Sequence, residues 1–147
     1  MEIRAVEPAD APALEPLFTP TLFDGYRSFR PRASAYFALA VVRRPAPEIA
    51  TVLGGGWVAS GPPGPERSPL PVWPAGLRLL GTEGAGEVQT PVSGAAARHL
   101  AVGDRVWFRH AKAGELSEHV DEYVLVDDPA AVTGRAATYR GEGKVFL

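Results

Sequence analysis

Val102-Gly103-Asp104-Arg105-Val106-Trp107-Phe108-Arg109-His110 reads as a Gly-Asp turn feeding a strand. Glycine and aspartate suit a tight turn, one through backbone freedom and the other through its local side-chain hydrogen bonds. Val, Trp and Phe then favour a pleated surface. Successive side chains in a strand point to opposite faces, so Val106 and Phe108 share one face while Arg105, Trp107 and Arg109 share the other. His110 follows where the chain leaves the sheet, a common place for a functional side chain, though a structural strand-end histidine has the same signature.

Working outward, Ala35 to Val42 and Ile49 to Leu53 are apolar, partly β-branched and bounded by Pro or Gly, which predicts a hairpin turning at Arg43-Arg44-Pro45-Ala46-Pro47. Leu77 to Leu80, Gly86 to Thr90, His119 to Val126 and Thr138 to Phe146 are further strand candidates, and Ala95 to His99 a short helical turn. Gly61 to Pro74 is rich enough in Pro and Gly to read as loop. At the front, Glu2 to Val6 reads as a strand and Ala9 to Glu15 as a short helix stopped by Pro16. Phe23, Tyr26 and Phe29 are aromatic anchors in a connecting stretch that turns at Asp24-Gly25. With 15 Pro and 16 Gly in 147 residues, long helices are interrupted everywhere. The expected fold is therefore mainly β, a barrel-like or sandwich domain with one or two short helices. Residues 1–18 form an N-terminal strand and short helix, a fusion or atypical start, and residues 19–147 form one β domain.

Composition removes several function classes. The net charge is only -2, with 22% charged residues and no single-sign block, so no nucleic-acid partner is implied. No apolar run approaches the roughly 20 residues a membrane span needs. Met1-Glu2-Ile3-Arg4 leads into acidic, Pro-containing sequence and not a signal-peptide core, and a cytoplasmic location is expected. The chain has no cysteine, which excludes disulfides, thiol nucleophiles and cysteine metal sites. Schiff-base chemistry would have two candidates, Lys112 and Lys144.

Beyond His110, the run Ala111-Lys112-Ala113-Gly114-Glu115-Leu116-Ser117-Glu118-His119 combines small residues, a cation and two carboxylates. His110 with His119 or Glu115 is a conceivable metal pair. The spacing matches no standard zinc motif, however, and Lys112 would repel a cation. Surface ion pairing is the plainer role for Glu118 and Arg109. Thr82-Glu83-Gly84-Ala85-Gly86-Glu87-Val88-Gln89-Thr90-Pro91 contains a Gly-x-Gly but no third glycine and no long helix after it. It is better read as a tight turn presenting Glu83 and Glu87, leading into a strand that ends at Pro91. Thr138 to Lys144 offers a phenol, cations and flexible backbone, as solvated strand ends also do.

Four ordered blocks carry a family resemblance: Leu53-Gly-Gly-Gly-Trp-Val-Ala-Ser-Gly-Pro-Pro-Gly, Glu83-Gly-Ala-Gly-Glu-Val-Gln-Thr-Pro, Gly103-Asp-Arg-Val-Trp-Phe-Arg-His-Ala-Lys-Ala-Gly-Glu-Leu and Tyr139-Arg-Gly-Glu-Gly. Together they resemble the C-terminal domain of the D-serine dehydratase-like and D-threonine aldolase-like family, the amino acid deaminases among fold-type III pyridoxal-phosphate enzymes. The resemblance runs from about Pro20 to Leu147. It implies a β domain that closes over an N-terminal (β/α)8 barrel carrying pyridoxal phosphate on a lysine, within a dimer. It further implies a lyase that deaminates or dehydrates D-amino acids. His110 and Lys112 would be the catalytic contribution of this domain, Glu83 and Glu87 would lie in the substrate neighbourhood, and no cofactor-binding residue would come from it. A divalent metal in that family is held by His-x-Cys or His-x-Asp. His110 matches the histidine of that metal pair, while Lys112 stands in the second position. The phosphate-contact Gly-Ser-Gly expected just before Pro20 reads Leu14-Glu15-Pro16. With barrel and cofactor lysine both lacking, the chain is expected to be inactive alone and to need a barrel domain or partner chain. Two alternatives stay open. Met1 to Leu14 resembles the opening of an N-acetyltransferase, without that family's pyrophosphate loop, and the second alternative is a noncatalytic interaction module.

Overall fold

The computed structural model describes residues 33–112, 114–128 and 131–145. The expected strand Glu2 to Val6, helix Ala9 to Glu15, turn Asp24-Gly25, anchors Phe23, Tyr26 and Phe29, and the acetyltransferase-like opening lie outside the described residues.

The Gly103-Asp104 turn closes as expected. Gly103 takes a φ of 99°, and the Asp104 carboxylate accepts from Ala101 N at 2.7 Å. Val41 then bonds both ways, its N–H to Asp104 O and its carbonyl to Gly103 N, each at 2.8 Å. The turn thereby delivers β6 (Arg105–Arg109) antiparallel to β1 (Phe37–Ala46), with Phe37 opposite Phe108 and Leu39 opposite Val106. Inward-facing Phe37, Leu39, Val41, Val106 and Phe108 are all buried and join one core. Each such side chain removed from water contributes about 1.5–3 kcal/mol. The alternation predicted for β6 therefore holds, with one addition. Trp107, on the opposite face from Phe108, is buried as well, covered by Tyr36, Ala38, Val72 and Trp73.

The remaining strands are β2 (Ile49–Leu53), β3 (Leu70–Trp73), β4 (Arg78–Leu79) and β5 (Gln89–Ser93), and the sheet order is β3-β6-β1-β2-β5-β4, antiparallel throughout. The end strands β3 and β4 approach one another, so the sheet nearly closes into a barrel. A 3₁₀ turn at Ala95–His99 packs beneath β2 and β5 through the fully buried Ala97. Beyond β6 come a short helix α1 (Glu115–His119) and a separate hairpin of β7 (Glu122–Asp128) and β8 (Ala131–Ala137). The fold is mainly β and barrel-like, as expected.

Several boundaries differ from the sequence expectation. The first hairpin runs on to Ala46 and turns at Pro47-Glu48 alone. Part of the expected loop Gly61 to Pro74 is strand: β3 sits at the sheet edge, where Pro71 is tolerated. Pro91 lies inside β5 and does not end it. Its carbonyl accepts from Leu80 N at 3.3 Å, so its missing N–H also faces the short β4 side and leaves the β2 ladder intact. His119 is the last residue of α1 and not the start of a strand. Residues 138–145 are not strand but turns stapled by Glu142 N to Thr138 O and Lys144 N to Tyr139 O, while the pairing strand precedes them as β8.

Candidate functional site

The glycine-rich blocks prove to be packing devices. Thr90, fully buried in β5, donates its hydroxyl to Gly54 O at 2.6 Å and accepts from Gly86 N at 3.1 Å. A Cβ on Gly56 would meet Glu87 N at 2.5 Å and Gly86 C at 2.6 Å. Two backbones thus touch where only glycine fits, and that contact fixes the exit of Trp57 from the triple glycine. Glu83 and Glu87 are exposed on this turn, and neither bonds to His110 or Lys112.

Trp57 begins an aromatic ladder. Its ring lies 4.3 Å from Phe37, which stacks in turn on Phe108 at 5.4 Å. On its other side Trp57 stacks nearly parallel to the imidazole of His119, 4.5 Å away at 2°. The core of the sheet thereby extends, ring by ring, to α1.

α1 starts at Gly114, whose φ of 89° turns the chain sharply after β6. Its residues Glu115, Glu118 and His119 stand at i, i+3 and i+4 and share a face. Their ligand-type atoms all lie within 4.8 Å of one another. Glu115 is buried at 6% exposure, and His119 Nε2 is 3.2 Å from its Oε1. Lys112 Nζ stands 3.8 Å from Glu118 Oε1. Tyr139, from the turn after β8, donates its hydroxyl to Gly114 O at 2.9 Å. Partial desolvation first, and then the adjacent Glu118 carboxylate, hold that hydroxyl above its ordinary value of 10.0. Thr138, buried beside it, donates to Val120 O and accepts from Gly141 N at 3.0 Å, which pins the turn against the end of α1.

His110 stands half-buried at the end of β6. Its Nδ1 lies 2.6 Å from Lys112 O. A carbonyl can only accept, so Nδ1 carries the proton, and in the neutral ring Nε2 is the basic nitrogen.

Of the residues read from sequence as chemical, the structure groups Lys112, Glu115, Glu118 and His119, with His110 tied to the backbone of the same segment. It brings neither Glu83 nor Glu87 into that group. The grouping of potential metal donors is Glu115, Glu118 and His119, without His110. Sequence reading missed the stack of Trp57 on His119, the burial of Glu115 and the place of Tyr139. The i, i+3, i+4 spacing of Glu115, Glu118 and His119 was the available signal, hidden because five residues make a very short helix.

No protein-family model matches this chain, and no curated protein matches it. Among solved structures it is similar to D-threonine aldolase from Filomicrobium marinum, with a TM-score of 0.61 and 17% identity, over 87% of this chain and 32% of that one. At that identity the likeness is one of fold, and the chain spans 32% of the length of the protein it resembles.

Proposed function

We propose that this chain is the closing domain of a pyridoxal-phosphate-dependent lyase acting on D-amino acids, paired with a barrel that holds the cofactor. The observation that carries this is the fold likeness of 87% of the chain to a part, 32%, of a D-threonine aldolase. The four blocks Leu53 to Gly64, Glu83 to Pro91, Gly103 to Leu116 and Tyr139 to Gly143 point the same way.

The residues present do not fit the cofactor itself. A Schiff-base lysine is activated by desolvation or a neighbouring cation, whereas Lys112 is 45% exposed beside Glu118, and Lys144 is 64% exposed and bonded to Glu142 at 2.7 Å. Nor do they fit the metal of the resembled family, because position 112 supplies an ammonium where a ligand is needed. The cofactor belongs to the barrel, and the chain alone is inactive. Facing the barrel's substrate, His110 would protonate the leaving hydroxyl, and the Lys112 ammonium would offset negative charge on a substrate hydroxyl or carboxylate. Glu83 and Glu87 would position neighbouring groups. The partner is a barrel domain or chain, within a dimer.

Sedimentation of the chain mixed with a separately expressed barrel of a D-threonine aldolase tests the pairing: a faster-moving complex supports it, and independent boundaries contradict it. In the reconstituted enzyme His110→Gln should lower the rate by about 10²–10⁴-fold and remove one limb of the pH–rate profile. An unchanged profile would remove His110 from the chemistry, and full activity in Lys112→Ala would do the same for Lys112.

A further inference from the structure

We infer that Tyr139 is a positioning residue for His110, acting through the one peptide unit that joins Gly114 to Glu115. The Tyr139 hydroxyl donates to Gly114 O at 2.9 Å. On the other side of the same planar unit, Glu115 N donates to Lys112 O at 3.2 Å. Lys112 O accepts in turn from His110 Nδ1 at 2.6 Å. Three hydrogen bonds thus link a phenol on the turn after β8 to the histidine just beyond β6.

The middle of this chain of bonds needs an outside hold. Gly114 sits at a φ of 89°, and a glycine leaves any one conformation more readily than other residues do, so the peptide plane that follows it is free to turn unless something fixes it. Tyr139 is itself fixed. The neighbouring Thr138 is buried, donates to Val120 O and accepts from Gly141 N at 3.0 Å, and Lys144 N closes onto Tyr139 O at 2.7 Å. A Cβ on Gly141 would meet Asp121 O at 1.9 Å, so the turn lies directly against the chain that leaves α1. The hydroxyl also keeps the proton it donates, because desolvation and the Glu118 carboxylate disfavour the phenolate. With the plane held, Lys112 O stays aimed at Nδ1. The partner of one ring nitrogen sets the role of the other, so Nε2 remains the basic nitrogen and points away from the backbone.

The link is read in this chain alone; its effect on a reaction rests on the closing-domain reading. The test is nitrogen NMR of the imidazoles in the full chain at about pH 8.5, where imidazoles are neutral and phenols protonated. Tyr139→Phe keeps the ring and removes only the hydroxyl. It should move the His110 tautomer balance toward Nε2–H by about two- to tenfold, the weight of one ordinary hydrogen bond. Tyr123→Phe is the control: it removes the hydroxyl that pairs with Ser117 of α1 at 2.9 Å without touching the Gly114–Glu115 peptide, and should leave His110 unchanged. A His110 tautomer unmoved by Tyr139→Phe overturns the inference, and so does an equal movement in Tyr123→Phe. In the enzyme reconstituted with a barrel, Tyr139→Phe should lower kcat by a similar factor and leave KM alone. A shifted tautomer with an unchanged rate supports the link and contradicts the chemical role proposed for His110, so the two readings fail separately.

Discussion

Phe108 is wholly enclosed, stacked on Phe37 and opposite it in the β1–β6 register. Truncating it removes a large apolar group from a place where neighbours can relax only partly, so Phe108→Ala should cost about 3–5 kcal/mol in urea unfolding, and a loss below about 1 kcal/mol would deny it the central place. Glycines divide by the same logic of space. Gly56→Ala forces a methyl against the backbone of Gly86 and Glu87 and should cost about 1–3 kcal/mol, as overpacking does, whereas Gly64, with open space around it, should tolerate alanine within about 0.5 kcal/mol. Equal effects at the two positions would count against the close approach. Tyr139 titrates above 10.0 because desolvation and the Glu118 charge disfavour the phenolate. Since a raised value favours the neutral form, its contribution to stability is present below the ordinary value and lost as pH rises through the higher, folded one. Glu118→Gln should bring the phenolate absorbance transition of Tyr139 back down; no movement would mean that Glu118 is not the charge responsible. At this scale, the place of His110 at the end of β6, with Lys112 just beyond it, was legible because the strand is clear, and Glu115 and Glu118 were visible as charges. What the residue types could not reveal was Trp57 stacking on His119, which depends on how two distant segments fold together.

Elements tell the same story with different failures. β1, β2 and β6 were readable because β-branched and aromatic residues alternate within sharp Pro and Gly boundaries. β3 and β5 were obscured by Pro71 and Pro91, which sheet position tolerates and local propensity does not. β8 was missed because Ala131, Gly134, Ala136 and Ala137 have little strand preference of their own, so pairing with β7 decides the matter. That hairpin has two strands and leaves Leu125 and Val132 each 45% exposed. Two strands alone are marginal in water, so the β7 and β8 amides should exchange with deuterium well before those of β1, β2 and β6. Uniform protection across both sheets would contradict this. Within β5, Thr90→Val keeps the shape but strips a buried hydroxyl from Gly54 O and Gly86 N, and should cost about 1–3 kcal/mol in urea unfolding. A neutral result would mean that the two glycine blocks are held together by packing alone.

At the scale of the whole molecule, the nearly closed sheet supplies a stiff base, and the aromatic ladder from Phe108 through Phe37 and Trp57 carries that stiffness out to α1. The charged cluster is therefore presented on a firm support, with His110 at the adjoining strand end. Lys112 and Lys144 are both exposed and paired with carboxylates, and among the described residues no helix is long and apolar enough to cross a membrane. The fold of this chain is similar to 32% of a D-threonine aldolase, and a cofactor-bearing domain is the partner proposed for it above. The fold class was legible in advance because Pro and Gly frequency rules out long helices. The proposed division of labour rests on the four resembling blocks, since composition carries no information about a partner domain. The most direct measurement is to mix the purified chain with pyridoxal phosphate and a separately expressed barrel domain and to follow both the cofactor absorbance band and D-amino acid turnover. The closing-domain account predicts turnover in the mixture and none from either component alone; a barrel whose band and activity are the same with and without this chain would contradict it.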